Sequence, residues 1–194
     1  MLDELKKSVF RKQEEYCRVS REIWEHPELG YQEKHACGLQ LELLKNNGFE
    51  TVNPYLGLET AYLGFTGTDG PVFCFVAEYD ALPELGHGCG HNLICTAAIA
   101  AGTACAELLK KHRLPGKVLV MGTPAEESGG GKVKLLEKGC LDGVDAAMMV
   151  HPSWRTVPDA GSTAIRRFTV EFTGKSAHAA AAPELALNAL DAAV

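Results

Sequence analysis

The middle of the chain alternates between two kinds of apolar run, and this alternation constrains the fold more than any other feature. Val72 to Ala77, Lys117 to Gly122 and Ala146 to Val150 are short runs of buried-strand type. Between them lie Asn92 to His112, long and Ala-rich, and Lys132 to Lys138, short and helical in pattern. Runs of four to eight apolar residues suit covered strands, whereas a longer run apolar almost all round suits a helix buried on more than one side. The order strand, helix, strand, helix, strand predicts an α/β fold: a parallel-rich sheet with helices on both faces. Ala61 to Phe65 adds an earlier strand, expected to pair with Val72 to Ala77 through the turn Thr66 to Pro71.

Before this core, Leu5, Val9, Tyr16, Val19 and Ile23 give Leu2 to Trp24 a helical spacing. Pro27 and Gly30 punctuate, and a second helix is predicted from Gln32 to Asn46, stopped by Asn47-Gly48. From Thr163 the texture changes to an alternating strand (Arg166 to Phe172), a small-residue turn (Gly174 to Ala182) and a helix carrying Leu185, Leu187 and Leu190. A domain boundary near 155–162 therefore divides the chain into residues 1–160 and 161–194. Because Val194 falls inside that last helical pattern, the chain reads as truncated.

Composition narrows the function. A net charge of −6 over 194 residues, without a Lys/Arg cluster, argues against a nucleic-acid surface. The N-terminal residues lack the apolar core of a signal peptide, and Ile94 to Leu109 is too short and Ala-rich for a membrane span. Seven scattered cysteines do not form a disulfide framework, which points to a reducing, cytoplasmic setting. Cys17, Cys37, Cys74, Cys95, Cys105 and Cys140 fall at apolar positions and read as core filler, while His26, His35 and His112 read as surface residues.

The chemistry concentrates in residues 78–91. His87, Cys89 and His91 alternate with Gly88 and Gly90, and in an extended segment residues two apart point the same way. Imidazole and thiolate are ligands that a borderline-soft ion such as zinc prefers. A lone His-x-Cys-x-His is more often a structural Cys beside a hydrogen-bonded His; it gains weight here from Glu126-Glu127 and His151 downstream. Asp80, Glu126, Glu127 and His151 all follow predicted strands, where open α/β sheets place their ligand crevice. Adjacent acids are ordinarily a solvated surface pair. After a buried strand, one can ligate a metal while its neighbour takes the proton of a water whose pKa the metal lowers from about 15.7 toward roughly 7. The run Gly129 to Gly131 is not a phosphate loop: that motif needs Gly at 126 and Ser or Thr at 133, where Glu126 and Val133 stand. His178 sits in a small-residue turn that lets its ring protrude, as an exposed loop His also would.

Trp24-Glu25-His26-Pro27-Glu28-Leu29-Gly30, Glu78 to Pro83, Gly88 to Asn92, Gly122 to Glu127, His151-Pro152 and Gly174 to Ala179 occur in that order. Together they resemble the aminoacylase-like dinuclear metallopeptidases, in particular their amidohydrolase subgroup. The resemblance implies two divalent ions, zinc or manganese, held by Cys89, His91, Glu127 and His151. It implies Glu126 as general base, Asp80 as an acid orienting a ligand, and His178 as a lid residue stabilising the oxyanion, often in the partner subunit's site. Glu78 departs from the Asp commonest at its position, and His87 is not usually counted as a ligand. The implied activity is hydrolysis of an amide bond in a dipeptide or N-acyl amino acid. The family inserts a small α+β lid that mediates homodimerisation; here 161–194 would be its beginning and 1–160 an incomplete catalytic domain. Relatives are about twice as long, and the missing half would carry a last His ligand. A catalytically incomplete chain acting as a binding or regulatory subunit is the competing expectation.

Overall fold

A computed structural model describes residues 1–159, 161 and 168–194, in two compact units, Met1–Trp154 and Arg155–Val194. The first unit opens with α1 (Leu2–Arg11) and α2 (Gln13–Glu25). These are two helices where the spacing predicts one, because Lys12 leaves the helical region at φ −114°. The break lets both halves pack on the long central helix, and Lys12 itself reaches Glu107 at 3.3 Å. On α2 the buried residues Tyr16, Val19, Ser20 and Ile23 follow the i, i+3, i+4, i+7 stripe. Next come α3 (Lys34–Asn46), β1 (Glu50–Val52), β2 (Tyr62–Gly67), β3 (Val72–Ala77) and α4 (His91–His112). Then follow β4 (Lys117–Gly122), α5 (Glu126–Gly129), α6 (Gly131–Leu136) and β5 (Ala146–Met148).

The α/β architecture expected from the alternation is present, with the sheet mixed in its pairings. Strand order is β1-β2-β4-β3-β5; β3 pairs in parallel with β4 and β5, while β2 runs antiparallel to β1 and β4. The expected β2–β3 hairpin is therefore corrected. The α4 crossover lays β4 beside β3, and β2 takes the far side of β4. The Thr66–Pro71 connection instead passes the start of β4, where Thr68 N donates to Gly116 O and Lys117 N to Pro71 O.

One face of the sheet carries the larger core, with Ile23, Leu44, Ile99, Val118 and Val120 among its buried members; the other is covered by Leu135 of α6 and Cys140 over Cys74, Leu119 and Met121. Helix α4 approaches β4 so closely that a Cβ on Gly102 would lie 2.6 Å from Val120 Cγ2, so glycine is the residue that fits there. By length and composition alone α4 could cross a membrane, beyond what Ile94–Leu109 suggests, yet it packs on α1, α2, α3 and three strands as a core helix. Two burial expectations are corrected. The strand β5 is exposed, because it is the sheet edge. Of the cysteines read as core, Cys17 is exposed and Cys105 half-buried, while Cys37, Cys74, Cys95 and Cys140 are buried.

The second unit holds one short 3-10 turn, Pro183–Leu185, and an isolated bridge between Lys175 and Leu187. The helix predicted around Leu185 to Leu190 does not form; the residues after Leu187 run in turns. Of the strand predicted over 166–172, positions 166 and 167 lie outside the described residues, and Phe168 to Phe172 carry no strand pairing.

Candidate metal centre

Three parallel strands deliver their following residues to one rim of the sheet. After β3 come Glu78, Tyr79 and Asp80; after β4, the segment leading to Glu126 and Glu127; after β5, His151. The fourth contribution is the start of α4, where Gly90 caps the helix in the left-handed region at φ 79° and His91 is the first helical residue.

His91 lies at the centre, 1% exposed. Its Nδ1 sits 2.8 Å from the Asp80 backbone oxygen and 3.1 Å from Asp80 Oδ1, both acceptors, so this nitrogen carries the proton. The Nε2 lone pair then faces two more carboxylates, Glu78 Oε2 at 3.4 Å and Glu127 Oε1 at 3.8 Å. Neither Nε2 nor Glu78 Oε2 has a hydrogen-bond partner, although both are buried. Buried electron-rich atoms that face one another without a donor require a cation or a proton. Donor atoms of Cys89, His91 and Glu127 lie within 4.8 Å of one another, as do those of Glu78, His91 and His151. Thiolate, imidazole and carboxylate together suit a divalent ion of borderline softness, so these residues chemically fit the metal that the sequence implies.

The surroundings set the charges. Burial alone would raise Asp80, but hydrogen bonds from His91 and from the Glu127 and Glu126 amides outweigh it and hold the carboxyl below its ordinary value. Glu127 N donates to Asp80 Oδ2 at 2.9 Å, so one buried acid orients both His91 and the Glu127 backbone. Burial would lower His91, yet Asp80 and Glu78 together raise it. Hydrogen bonding to Glu127, then burial and the nearby acids, pushes the Cys89 thiol up to about 11.

The two neighbouring glutamates diverge: Glu127 turns inward with its side chain 17% exposed, while Glu126 faces solvent. His151 is exposed, its ring 5.9 Å from that of His91 and nearly perpendicular to it, with Nδ1 donating to Pro152 O at 2.8 Å. His87 does not converge with Cys89 and His91. Residues 87–89 form a bend and turn, closed by Gly90 N donating to His87 O, so strand alternation does not apply to them. Burial, then the neighbouring His91, lowers the His87 pKa. In the second unit His178 is exposed, and its Nδ1 accepts from the amides of Ala180 and Ala181.

Sequence reasoning missed two participants. Glu78, 2% exposed, faces His91 and pairs with Lys132 of α6 through its other oxygen. The two-residue step from Glu78 to Asp80 was a usable signal; nothing local marks Lys132. His26 and His35, read as isolated surface residues, each lie 3.4 Å from Glu22 Oε1 and pack edge to face.

A crevice at the carboxyl ends of parallel strands, with a thiol, imidazoles and carboxylates around one buried His, defines an α/β protein with a candidate divalent-metal site. Residues 74–194 match the model of peptidase family M20/M25/M40, and the chain belongs to that family. It is 41% identical over 191 residues to the Xaa-Arg dipeptidase of Mus musculus, covering 91% of this chain and 44% of that protein. It is 33% identical over 195 residues to one of the subunits of the p-aminobenzoyl-glutamate hydrolase of Escherichia coli, covering 91% of this chain and 40% of that protein. A dinuclear metal-binding peptidase of the M20 family from Bacillus subtilis superposes with a TM-score of 0.58 at 31% identity, over 73% of this chain and 42% of that one. The chain thus spans less than half the length of the curated relatives it matches.

Proposed function

We propose that this protein takes part in metal-dependent hydrolysis of the amide bond in a dipeptide or N-acyl amino acid. The observation that carries the reading is the unpartnered Nε2 of buried His91, facing Glu78 and Glu127 with Cys89 and His151 in reach. The names of the relatives support the substrate class, since a dipeptidase and an aminobenzoyl-glutamate hydrolase both release an amino acid from an amide. Cys89, His91, Glu127 and His151 would hold two divalent ions, zinc or manganese. Bound there, the ions supply Lewis acidity toward the scissile carbonyl and toward water.

The remaining work falls to side chains. Asp80 fixes the His91 ring and the Glu127 backbone through its two oxygens. Glu126, unencumbered and solvent-facing, accepts the proton of the attacking water and passes it to the leaving amine. His178, by the family resemblance, donates to the oxyanion, often in the partner subunit's site. Residues 161–194 then belong to a lid that brings two copies together, residues 1–160 to the catalytic domain, and the cytoplasm is the compartment that seven unpaired cysteines fit.

Elemental analysis after dialysis against zinc or manganese, with amino-acid release measured on a dipeptide panel, tests the reading. Metal at one or two equivalents is expected of this chain, and in a full-length form release that Glu126→Gln lowers by about two to four orders of magnitude. Protein that retains no metal near neutral pH overturns it. Metal retained without turnover favours a binding subunit.

A further inference from the structure

Glu33 is fully buried and its carboxylate has no cationic partner among the described residues. An uncompensated carboxylate in an apolar interior is costly, and burial raises its pKa above the ordinary range. Its donors are neutral: its own amide and that of Tyr31 nearby in the chain, and two from distant segments. Thr60 Oγ1 donates to Oε2 at 2.8 Å, and the Ala125 amide donates to Oε1 at 2.8 Å.

Both distant donors lead to the metal-centre loops. Ala125 is a non-glycine residue at φ 55°, in the left-handed region, directly before Glu126 and Glu127. An alanine there carries about 1 kcal/mol or more of strain and persists only if its surroundings hold it. The neighbours of Glu33 in sequence close on the same segment. A Cβ on Gly30 would meet Ala125 Cβ at 2.8 Å, and the Tyr31 hydroxyl donates to Gly129 O at 2.6 Å. On the other side, the backbone oxygen of Thr60 accepts the hydroxyl of Tyr79, which stands between Glu78 and Asp80.

We infer that Glu33 is a positioning residue: its carboxylate locks Ala125 in the left-handed turn that sends Glu127 inward and Glu126 outward, and ties that turn through Thr60 to the loop of Glu78 and Asp80. The inference rests on the metal-centre reading for the roles of Glu126 and Glu127, but the lock itself does not. Asp80 receives the Glu126 and Glu127 amides and Glu33 the Ala125 amide, so two buried acids grip successive amides of one short segment.

Amide hydrogen exchange of residues 124–131 and zinc affinity by chelator competition, on the whole 194-residue chain, test it together. Glu33→Ala is expected to speed exchange in that segment by at least 10-fold and to weaken zinc by about 10–100-fold, the usual cost of losing a partner behind a metal ligand. Glu33→Gln keeps an oxygen for the Ala125 amide, and the Thr60 hydroxyl can turn to accept from the new amide; it should restore most of both. Leu43→Ala, a cavity in the core on α3, controls for general destabilisation and should change neither quantity below its unfolding transition. Unchanged exchange in Glu33→Ala overturns the inference, as does a Leu43→Ala effect of equal size on the same segment. If no variant binds zinc, including the wild type, the metal reading fails, and the exchange result alone decides the role of Glu33.

Discussion

At the scale of single residues, the pair Glu126-Glu127 shows how a backbone turn separates two identical side chains. Glu127 lies 3.8 Å from His91 Nε2 while Glu126 stays in solvent, so the two should respond differently to the same loss of charge. Glu127→Gln is expected to weaken zinc binding by at least the roughly 10–100-fold that losing a supporting partner costs, and Glu126→Gln to leave metal content unchanged. Elemental content of the two variants after dialysis decides; the opposite pattern reverses the roles. What the sequence made visible here was the chemistry carried by strand ends. Asp80, Glu127 and His151 follow β3, β4 and β5, and the fold brings them to one rim around His91. Glu78 was hidden by its unfamiliar identity, and Lys132 could not be seen at all, because it lies on α6, 54 residues from its partner in the loop after β3. A contact across that separation is set by packing on the second face of the sheet, which no local pattern encodes.

At the scale of elements, the alternating apolar runs reported the kind of each segment well and its neighbours poorly. Helix α4 and strands β3 and β4 fall where the runs predict them, but periodicity carries no strand order, so β2 was placed beside β3 instead of β4. The break at Lys12 was equally hidden, since residues 5, 9, 16, 19 and 23 keep a helical spacing across it. Glu107 of α4 helps hold α1 and the break: it accepts from Ser8 at 2.5 Å and Arg11 at 2.6 Å, and lies 3.3 Å from Lys12. Burial would raise this carboxyl, but those donors together lower it below its ordinary value. A group depressed in the folded state contributes stability above its unfolded pKa, about 4.3 for Glu, and loses it as pH falls through the folded value. Glu107→Gln should therefore cost about 0.5–1 kcal/mol at pH 7, a modest figure because a third of the side chain is exposed to screening solvent. In urea titrations the gap between wild type and variant should narrow below about pH 4 and in molar salt. A gap that is constant from pH 7 to pH 3 would place the stabilisation in shape and not in charge.

At the scale of the whole molecule, the core and the chemistry discussed for the first unit lie within Met1–Trp154, where Cys140 is the last buried residue. No described residue from 155 onward is buried, yet Phe168, Val170, Phe172, Leu185, Leu187 and Leu190 expose large apolar side chains. Apolar surface of this kind adds little to the stability of a single copy and favours association between copies. A chain ending at Trp154 should consequently unfold as cooperatively as the 194-residue chain, with a Tm within about 4 °C, the shift that roughly 1 kcal/mol produces at this size. It should also remain monomeric in sedimentation velocity at concentrations where the longer chain forms dimers or larger species. Removing residues 155–194 takes away the exposed apolar set and leaves both core clusters intact. If the shorter chain melts without a cooperative transition, residues 155–194 contribute to the core in a way their exposure does not reveal. If it associates as strongly as the longer one, the adhesive surface lies in the first unit instead, where edge strand β5 and the following Met149, Val150 and Trp154 are its exposed apolar residues nearest in sequence to the boundary.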